Sequence, residues 1–342
     1  MCLLPNAGSF GMAVSTAMIF GLVSLMFLDT SINMAMQPFK MMVGDMVNEK
    51  QKGLAYSIQS FLCNAGSLVG FLFPFIFTWI GISNIAPQGV VPDSVIYSFY
   101  IGAAILILCV IYTTVKVKEM PPAEYAEYHG ITEEEKKEKI NMVKLLVKAP
   151  KAFWTVGLVQ FFCWFAFMFM WTYTNGSVAA NVFDAPTVET VVNGASKIVL
   201  DTKSIQYQNA ADWVGVLFAV QAIGSVLWAV CIPLFKNRKQ IYSLSLVLGG
   251  IGFISTYFVH NQYVLFISFL LIGCAWAAML ALPFTILTNA LSGGHMGTYL
   301  GLFNGTICIP QIVAATLGGS ILALFTPKGM LPPEIICLSW QV

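Results

Sequence analysis

Eight stretches of the chain are apolar for about the 20 residues that a helix needs to cross a bilayer: 10–43, 54–80, 96–116, 152–178, 213–235, 241–259, 263–290 and 297–325. Nothing else in the sequence constrains it as strongly. A backbone in hydrocarbon must satisfy its own polar groups, so only helices or a closed barrel can span. These runs are continuously apolar rather than alternating, which predicts helices. The first run is longer than a bilayer requires and is expected to tilt or to project into the cytoplasm. Only 10% of residues are charged and mean hydropathy is +0.78, against about 25% charge in soluble proteins. An all-α polytopic membrane protein follows.

Positive charge sets the topology. Of 17 Lys and Arg, thirteen fall on one set of connections: Lys50 and Lys52, the eight from Lys116 to Lys151, and Lys236, Arg238 and Lys239. Lys197, Lys203 and Lys328 fall on the other set, and Lys40 lies inside the first run. The first set is therefore cytoplasmic, which puts both ends of this chain outside. Three spans precede the long connection 117–151 and five follow it. That connection carries Pro121, Pro122, a charged run from Glu133 to Lys139 and an amphipathic stretch to Lys148. A twelve-helix protein built from two six-helix bundles has its long loop in the middle. On that scheme residues 1–116 close the N-terminal bundle, 117–151 is the central loop, and 152–342 forms five helices of the C-terminal bundle. The chain would then hold helices four to eleven of twelve, as a fragment.

Composition excludes several functions. A net charge of +1 leaves no basic surface for nucleic acid. Six of eight cysteines lie in apolar runs without a CxxC, which predicts small buried hydrophobes rather than a disulfide or metal framework. The sequence has neither a zinc spacing nor a GxxxxGK[ST] phosphate loop. An enzyme, a bound metal and an organic cofactor are not expected, nor is an obligatory protein partner.

Intramembrane polar groups are the candidates for function. In the first run Asp29, Asn33, Gln37 and Lys40 fall within an arc of about 80° at 100° per residue, with Met36 beside them and Pro38 beneath. Asp29 is either a proton-coupling or hydroxyl-binding carboxylate or one half of a structural ion pair; Lys40 carries the same two readings. Asp45 and Arg238, at the cytoplasmic side, are candidate gate residues or solvated helix ends. In 152–178, Gln160, Trp164, Trp171 and Asn175 share a face, and aromatic platforms beside amides suit the apolar faces and polar edges of a sugar. In 297–325, Asn304 and Gln311 share a face beside Pro310, as binding amides or as interhelical ties. Gly66 with Gly70, and Gly297, Gly301 and Gly305, have the spacing of close helix packing. The outer connection 179–212 is expected to be a surface loop.

Four patterns carry a family resemblance: Leu28-Asp29…Asn33…Pro38-Phe39-Lys40…Gly44-Asp45, then Gln160…Trp164…Trp171…Tyr173, then Trp276…Pro283-Phe284, and Gly297…Gly301…Asn304…Pro310-Gln311. Together they resemble the fourth, seventh, tenth and eleventh helices of the sucrose-transporter-like sugar:proton symporters. These belong to the glycoside–pentoside–hexuronide branch of the major facilitator superfamily. The resemblance implies a partial major facilitator fold, about eight of twelve transmembrane helices. It also implies uptake of a disaccharide such as maltose or sucrose by alternating access, coupled to a proton, in a bacterial inner (plasma) membrane. Sodium coupling, as in melibiose-type relatives, and a non-transporting sugar sensor are the alternatives. Family members carry Arg where this chain has Lys40, and lysine lacks the planar fork for a bidentate clamp.

Overall fold

The computed structural model describes residues 14–48, 50–82, 93–118, 142–192, 195–291 and 296–325, with the single residues 91, 121, 124 and 127. Each of the eight apolar runs forms one long helix: α1 (Val14–Met46), α2 (Lys52–Trp79), α3 (Asp93–Lys116), α5 (Lys151–Asn181), α6 (Ile205–Cys231), α7 (Arg238–Phe258), α8 (Leu265–Ala290) and α9 (Met296–Phe325). Between α3 and α5 lies the six-residue α4 (Met142–Val147), within the stretch expected to be amphipathic. Among the described residues, seven helices are long and apolar enough to cross a membrane. The eighth, α2, has 28 residues, about 42 Å at 1.5 Å each, and includes side chains outside the described set.

The chain divides into two compact units. The first comprises Met1–Lys52 and Ala65–Glu138, and the second Gly53–Asn64 and Lys139–Val342, so the helix α2 contributes its first half to one unit and its second half to the other. In the first unit, α1 runs 33 residues with Pro38 inside it, about 50 Å of helix, as its excess length predicts. Helix α3 carries Asp93 in its first turn and Lys116 in its last, both complementing the helix dipole. Phe27, Met34, Ile107 and Leu108 are exposed, as side chains solvated by lipid would be.

The second unit is built around α8, whose buried residues run from Leu265 to Thr288. Against it pack α6 and α7 most extensively, then α5, which also holds α9. Small residues set these distances. A Cβ on Gly273 would strike the carbonyl oxygen of Gln221 and lie 2.9 Å from the amide of Ser225; one on Gly224 would lie 2.6 Å from the Leu270 carbonyl. Ser225 Oγ donates across the same seam to Gly273 O at 2.8 Å. On the α7 side, a Cβ on Gly249 would strike that of Ala275, and one on Gly252 would come 2.7 Å from Ser268 O. Ser255 Oγ donates to Ser268 Oγ at 2.7 Å and Trp228 Nε1 to Ser245 Oγ at 2.8 Å. Without a hydrophobic force between helices in lipid, such backbone proximity and hydrogen bonding are what associate them.

Three expectations are corrected. Gly66, Gly70 and Gly301 have no described atom within 4 Å of a would-be Cβ; among the described residues the close helix-to-helix approaches include Gly224, Gly249, Gly252 and Gly273. Cys63 and Cys109 are exposed and Cys163, Cys231, Cys274 and Cys308 half-buried, because they sit on the outer faces or margins of their helices. The outer connection is more than a loop. Thr187–Val192 and Ala195–Leu200 pair antiparallel, with Val192 opposite Ala195, and Asn193-Gly194 occupies the two positions between them, the strongest short hairpin signal. Val199 and Leu200 are buried in the same cluster as Leu217, Leu265 and Phe269.

Helix boundaries follow local chemistry. Helix α5 ends where Val182 and Phe183 both donate to Val178 O and Ala185 to Ala179 O, with Asp184 in a left-handed conformation at φ 48 that Asp tolerates better than most residues. Helix α6 begins eight residues before the apolar run, because Ser204 caps it by accepting from Tyr207 N at 3.2 Å and its first turns are polar. Asn237 caps α7 by accepting from Lys239 N and Gln240 N.

Replacing Gly273 with Val forces α6 and α8 apart and is expected to cost about 1–3 kcal/mol, whereas Gly301→Ala should stay within about 0.5 kcal/mol. Thermal unfolding in detergent, followed by intrinsic fluorescence, measures both.

Candidate functional site

Pro283 lies inside α8. A proline has no N–H, so the carbonyl four residues earlier loses its helical donor, and that carbonyl belongs to Met279. Gln160 of α5 supplies the replacement: its Nε2 donates to Met279 O at 3.2 Å, from a side chain that is 0% exposed. The Gln160 amide thus seals a break in the α8 ladder. Its Oε1 is left buried without a partner.

One turn further along α5, the aromatic face begins. The Trp164 ring meets Trp276 of α8 edge-on at 5.4 Å and Trp171 at 6.1 Å. Trp171 meets Trp276 at 5.3 Å, nearly perpendicular at 87°. Phe167 closes the cluster against Trp276 at 5.0 Å and Phe253 of α7 at 5.5 Å. Edge-to-face pairs of this kind are worth about 0.5–1.5 kcal/mol each beyond area burial. Trp164 and Trp276 are half-buried and Trp171 is exposed, so the rings form the floor of an accessible surface rather than a sealed core. Trp164 Nε1 is buried without an acceptor. On the same face Asn175 Nδ2 reaches Tyr207 Oη of α6 at 3.1 Å, while Asn175 Oδ1 has no partner. Unpaired buried polar atoms cost about 1–3 kcal/mol each. Three of them, one donor and two acceptors, border one aromatic platform.

Helix α9 presents the second amide pair. Asn304 and Gln311 are both half-buried. Asn304 Nδ2 donates to Cys308 Sγ at 3.7 Å, and its Oδ1 is another buried atom without a partner. Nearby, Gly157 of α5 gives Thr306 Cγ2 just enough room, at 3.0 Å from a would-be Cβ, and Phe303 stacks edge-on with Phe153 at 5.6 Å.

In the first unit the stripe on α1 grades from exposed to buried. Asp29 is exposed, Asn33 and Met36 half-buried, and Lys40 only 7% exposed. Asn33 Nδ2 donates to the Asp29 main-chain carbonyl at 3.0 Å, leaving the carboxylate to other groups. The side chains of Gln37 and Asp45 lie outside the described residues.

The first half of α2 belongs with the second bundle. Ser60 Oγ donates to Ala277 O at 3.0 Å and Asn64 Nδ2 to Ser60 O at 2.7 Å, with Asn64 Oδ1 buried and unpaired. The ring of Tyr56 lies 6.2 Å from that of Phe284. Arg238, a candidate gate residue, lays its guanidinium over Gly53, where a Cβ would stand 2.9 Å from Nη2, and its Nη1 is buried without an acceptor.

Sequence reasoning thus found Gln160, Trp164, Trp171 and Asn175 as one face. It missed Tyr207, Ser60 and Asn64 as site-bordering groups, and gave Trp276 no role. The absence of the Pro283 donor was a signal for Gln160, since a buried amide is a natural substitute for a missing N–H. Among the described residues no group of three or more His, Cys, Asp or Glu could hold a metal ion.

Gln160→Leu should destabilise the second unit by about 1–3 kcal/mol by stranding the Met279 carbonyl. In a Pro283→Ala background, which restores the helical donor, the same substitution should cost clearly less. A double-mutant cycle on thermal stability measures the coupling; equal costs in both backgrounds would refute the ladder-sealing role.

Residues 2–199 match the family model described as Major Facilitator Superfamily, more than half of the 342 residues. No curated protein matches the chain.

Proposed function

The chain belongs to the Major Facilitator Superfamily, and from that premise we propose that it serves secondary active uptake of a polyhydroxylated substrate, a disaccharide such as maltose or sucrose, by proton symport. It is an integral multi-pass membrane protein of a family of secondary transporters. The observation that carries the finer reading is the platform of Trp164, Trp171 and Trp276 bordered by unpaired buried polar atoms. A sugar ring has apolar C–H faces and hydroxyl edges. The rings would take the faces, and the hydroxyls, which both donate and accept, would satisfy Trp164 Nε1 and Asn175 Oδ1. Asn304 and Gln311 offer further amides of the same kind from α9. Gln160 contributes by holding α5 to α8 at the level of the platform, with only its Oε1 left to engage a ligand.

Asp29 is the proposed coupling carboxylate. It is exposed on a helix of 33 residues that is otherwise apolar around that level, and a carboxylate there costs free energy unless water or a polar partner reaches it. Binding a proton removes that cost, which links its charge to the state of the pathway. Lys40, buried on the same stripe, balances charge, and Arg238 and Asp45 are each proposed to act at the cytoplasmic end of their own helix.

The test is uptake of radiolabelled maltose and sucrose into proteoliposomes under an imposed proton or sodium gradient. Accumulation should follow the proton gradient, fall at least tenfold in Trp164→Ala, and lose its gradient dependence in Asp29→Asn. Accumulation driven by sodium alone would transfer the coupling to that ion. Saturable binding without accumulation under either gradient would overturn symport and leave a sugar sensor.

A further inference from the structure

Helix α4 has six residues, and a helix that short does not persist on propensity alone. The second unit holds it. Tyr299 Oη of α9 donates to Leu145 O at 3.2 Å, and the ring of Tyr299 meets that of Phe153 of α5 edge-on at 6.1 Å. Only Lys148, Ala149 and Pro150 separate α4 from α5. Pro150 is extended, at φ −61 and ψ 152, so the two helices do not continue as one.

Held in this way, α4 presents three faces. Leu145 and Leu146 mark the side toward the bundle, where both are half-buried. At about 100° per residue, Val143 and Val147 stand about 130° from them, and they are 71% and 78% exposed. Lys144 and Lys148 lie about 100° further round and are exposed as well.

Charge and depth both point to the bilayer surface. Between Lys139 and Asp184 the sequence has no acidic residue, while Lys144, Lys148 and Lys151 follow at steps of four and three. Trp154, about 4.5 Å into α5, is 52% exposed. With Leu158 and Phe162, exposed at four-residue steps, it begins an apolar stripe that faces lipid. Tryptophan at the end of such a stripe marks the headgroup level, and α4 joins α5 just beyond it. Two exposed valines are too few for a stable protein interface, which takes about 20–30 residues a side. A leaflet needs no matching surface.

We infer that α4 docks on the anionic headgroups of the adjoining leaflet: Val143 and Val147 enter the acyl boundary, and Lys144, Lys148 and Lys151 meet the phosphates. The charge bias of the connections makes that leaflet the cytoplasmic one. Long lysine stems let the ammonium groups reach the phosphates while the valines stay in hydrocarbon. Neither the tryptophan platform nor Asp29 takes part, so the inference stands apart from the sugar reading.

The experiment places the fluorescent residue dansylalanine at Val147 of the whole chain, in nanodiscs wide enough for two copies. Discs of phosphatidylcholine alone are compared with discs in which one quarter of the lipid is phosphatidylglycerol. Each is made with and without a lipid carrying a doxyl quencher near its headgroup. In the anionic discs emission should shift to the blue, and doxyl should quench it at least twofold more than in the zwitterionic discs. The combined substitution Lys144→Gln, Lys148→Gln and Lys151→Gln should remove that difference, whereas Lys144→Arg, Lys148→Arg and Lys151→Arg together should keep it. A probe that emits as in water in both discs, or is quenched equally in both, would overturn the proposal. So would shielding from aqueous iodide without quenching by the doxyl lipid, which would mean that a second copy covers the valines.

Discussion

At Gly273 the backbone of α8 lies so near that of α6 that a single methyl group would collide with the Gln221 carbonyl, and at Gly249 and Gly252 the same holds for α7. The remainder of the second unit depends on these contacts. Because α8 is flanked closely on two sides, its register is fixed, and Trp276 is held where two rings of α5 can meet it edge-on. The cost of such a seam is that it leaves no slack for the helix to bend. Pro283, near the end of the buried stretch, provides the exception, and Gln160 makes the exception tolerable in a medium where water cannot.

The division between polar groups that are tied and those that are not is the most informative feature of the site. Gln160, Asn175 and Asn304 each use the amide nitrogen on the protein and leave the oxygen unpaired. Trp164 does the opposite with its only polar atom. An arrangement built for packing alone would favour apolar residues at these positions, since a half-satisfied polar group is worse than none. On the proposed function, a substrate that brings its own donors and acceptors would pair with them.

Much of the fold was legible because runs of apolar residues beyond about 20 have few alternatives, and every expected helix formed. Where the reading failed, a partner distant in sequence decided the outcome. Glycine spacing at Gly66 and Gly301 shows that a helix has a smooth strip, but not whether another helix lies on it; at Gly224 and Gly273 the nearest facing backbone, Leu270 and Gln221, was 46 and 52 positions away and invisible. The polar start of α6 at Ile205 was hidden because hydropathy cannot see a helix extending past the membrane, although Ser204 was a readable cap. The hairpin was legible in the alternation of Thr187 to Val192 and in Asn193-Gly194, and was passed over because nothing in a membrane sequence invites a search for strands. The roles of Trp276 and Tyr207 could not be read, since each depends on a ring or amide on α5.

Burial of Val199 and Leu200 among the helix side chains gives the hairpin a mechanical meaning. Its second strand is pinned to the bundle, while Val188 and Glu189 on the first face outward. A probe fixed at Glu189 would therefore ride on the helices as a rigid fiducial. The hairpin thus gives this chain a built-in pointer, through which movements of its apolar helices can be followed from the water.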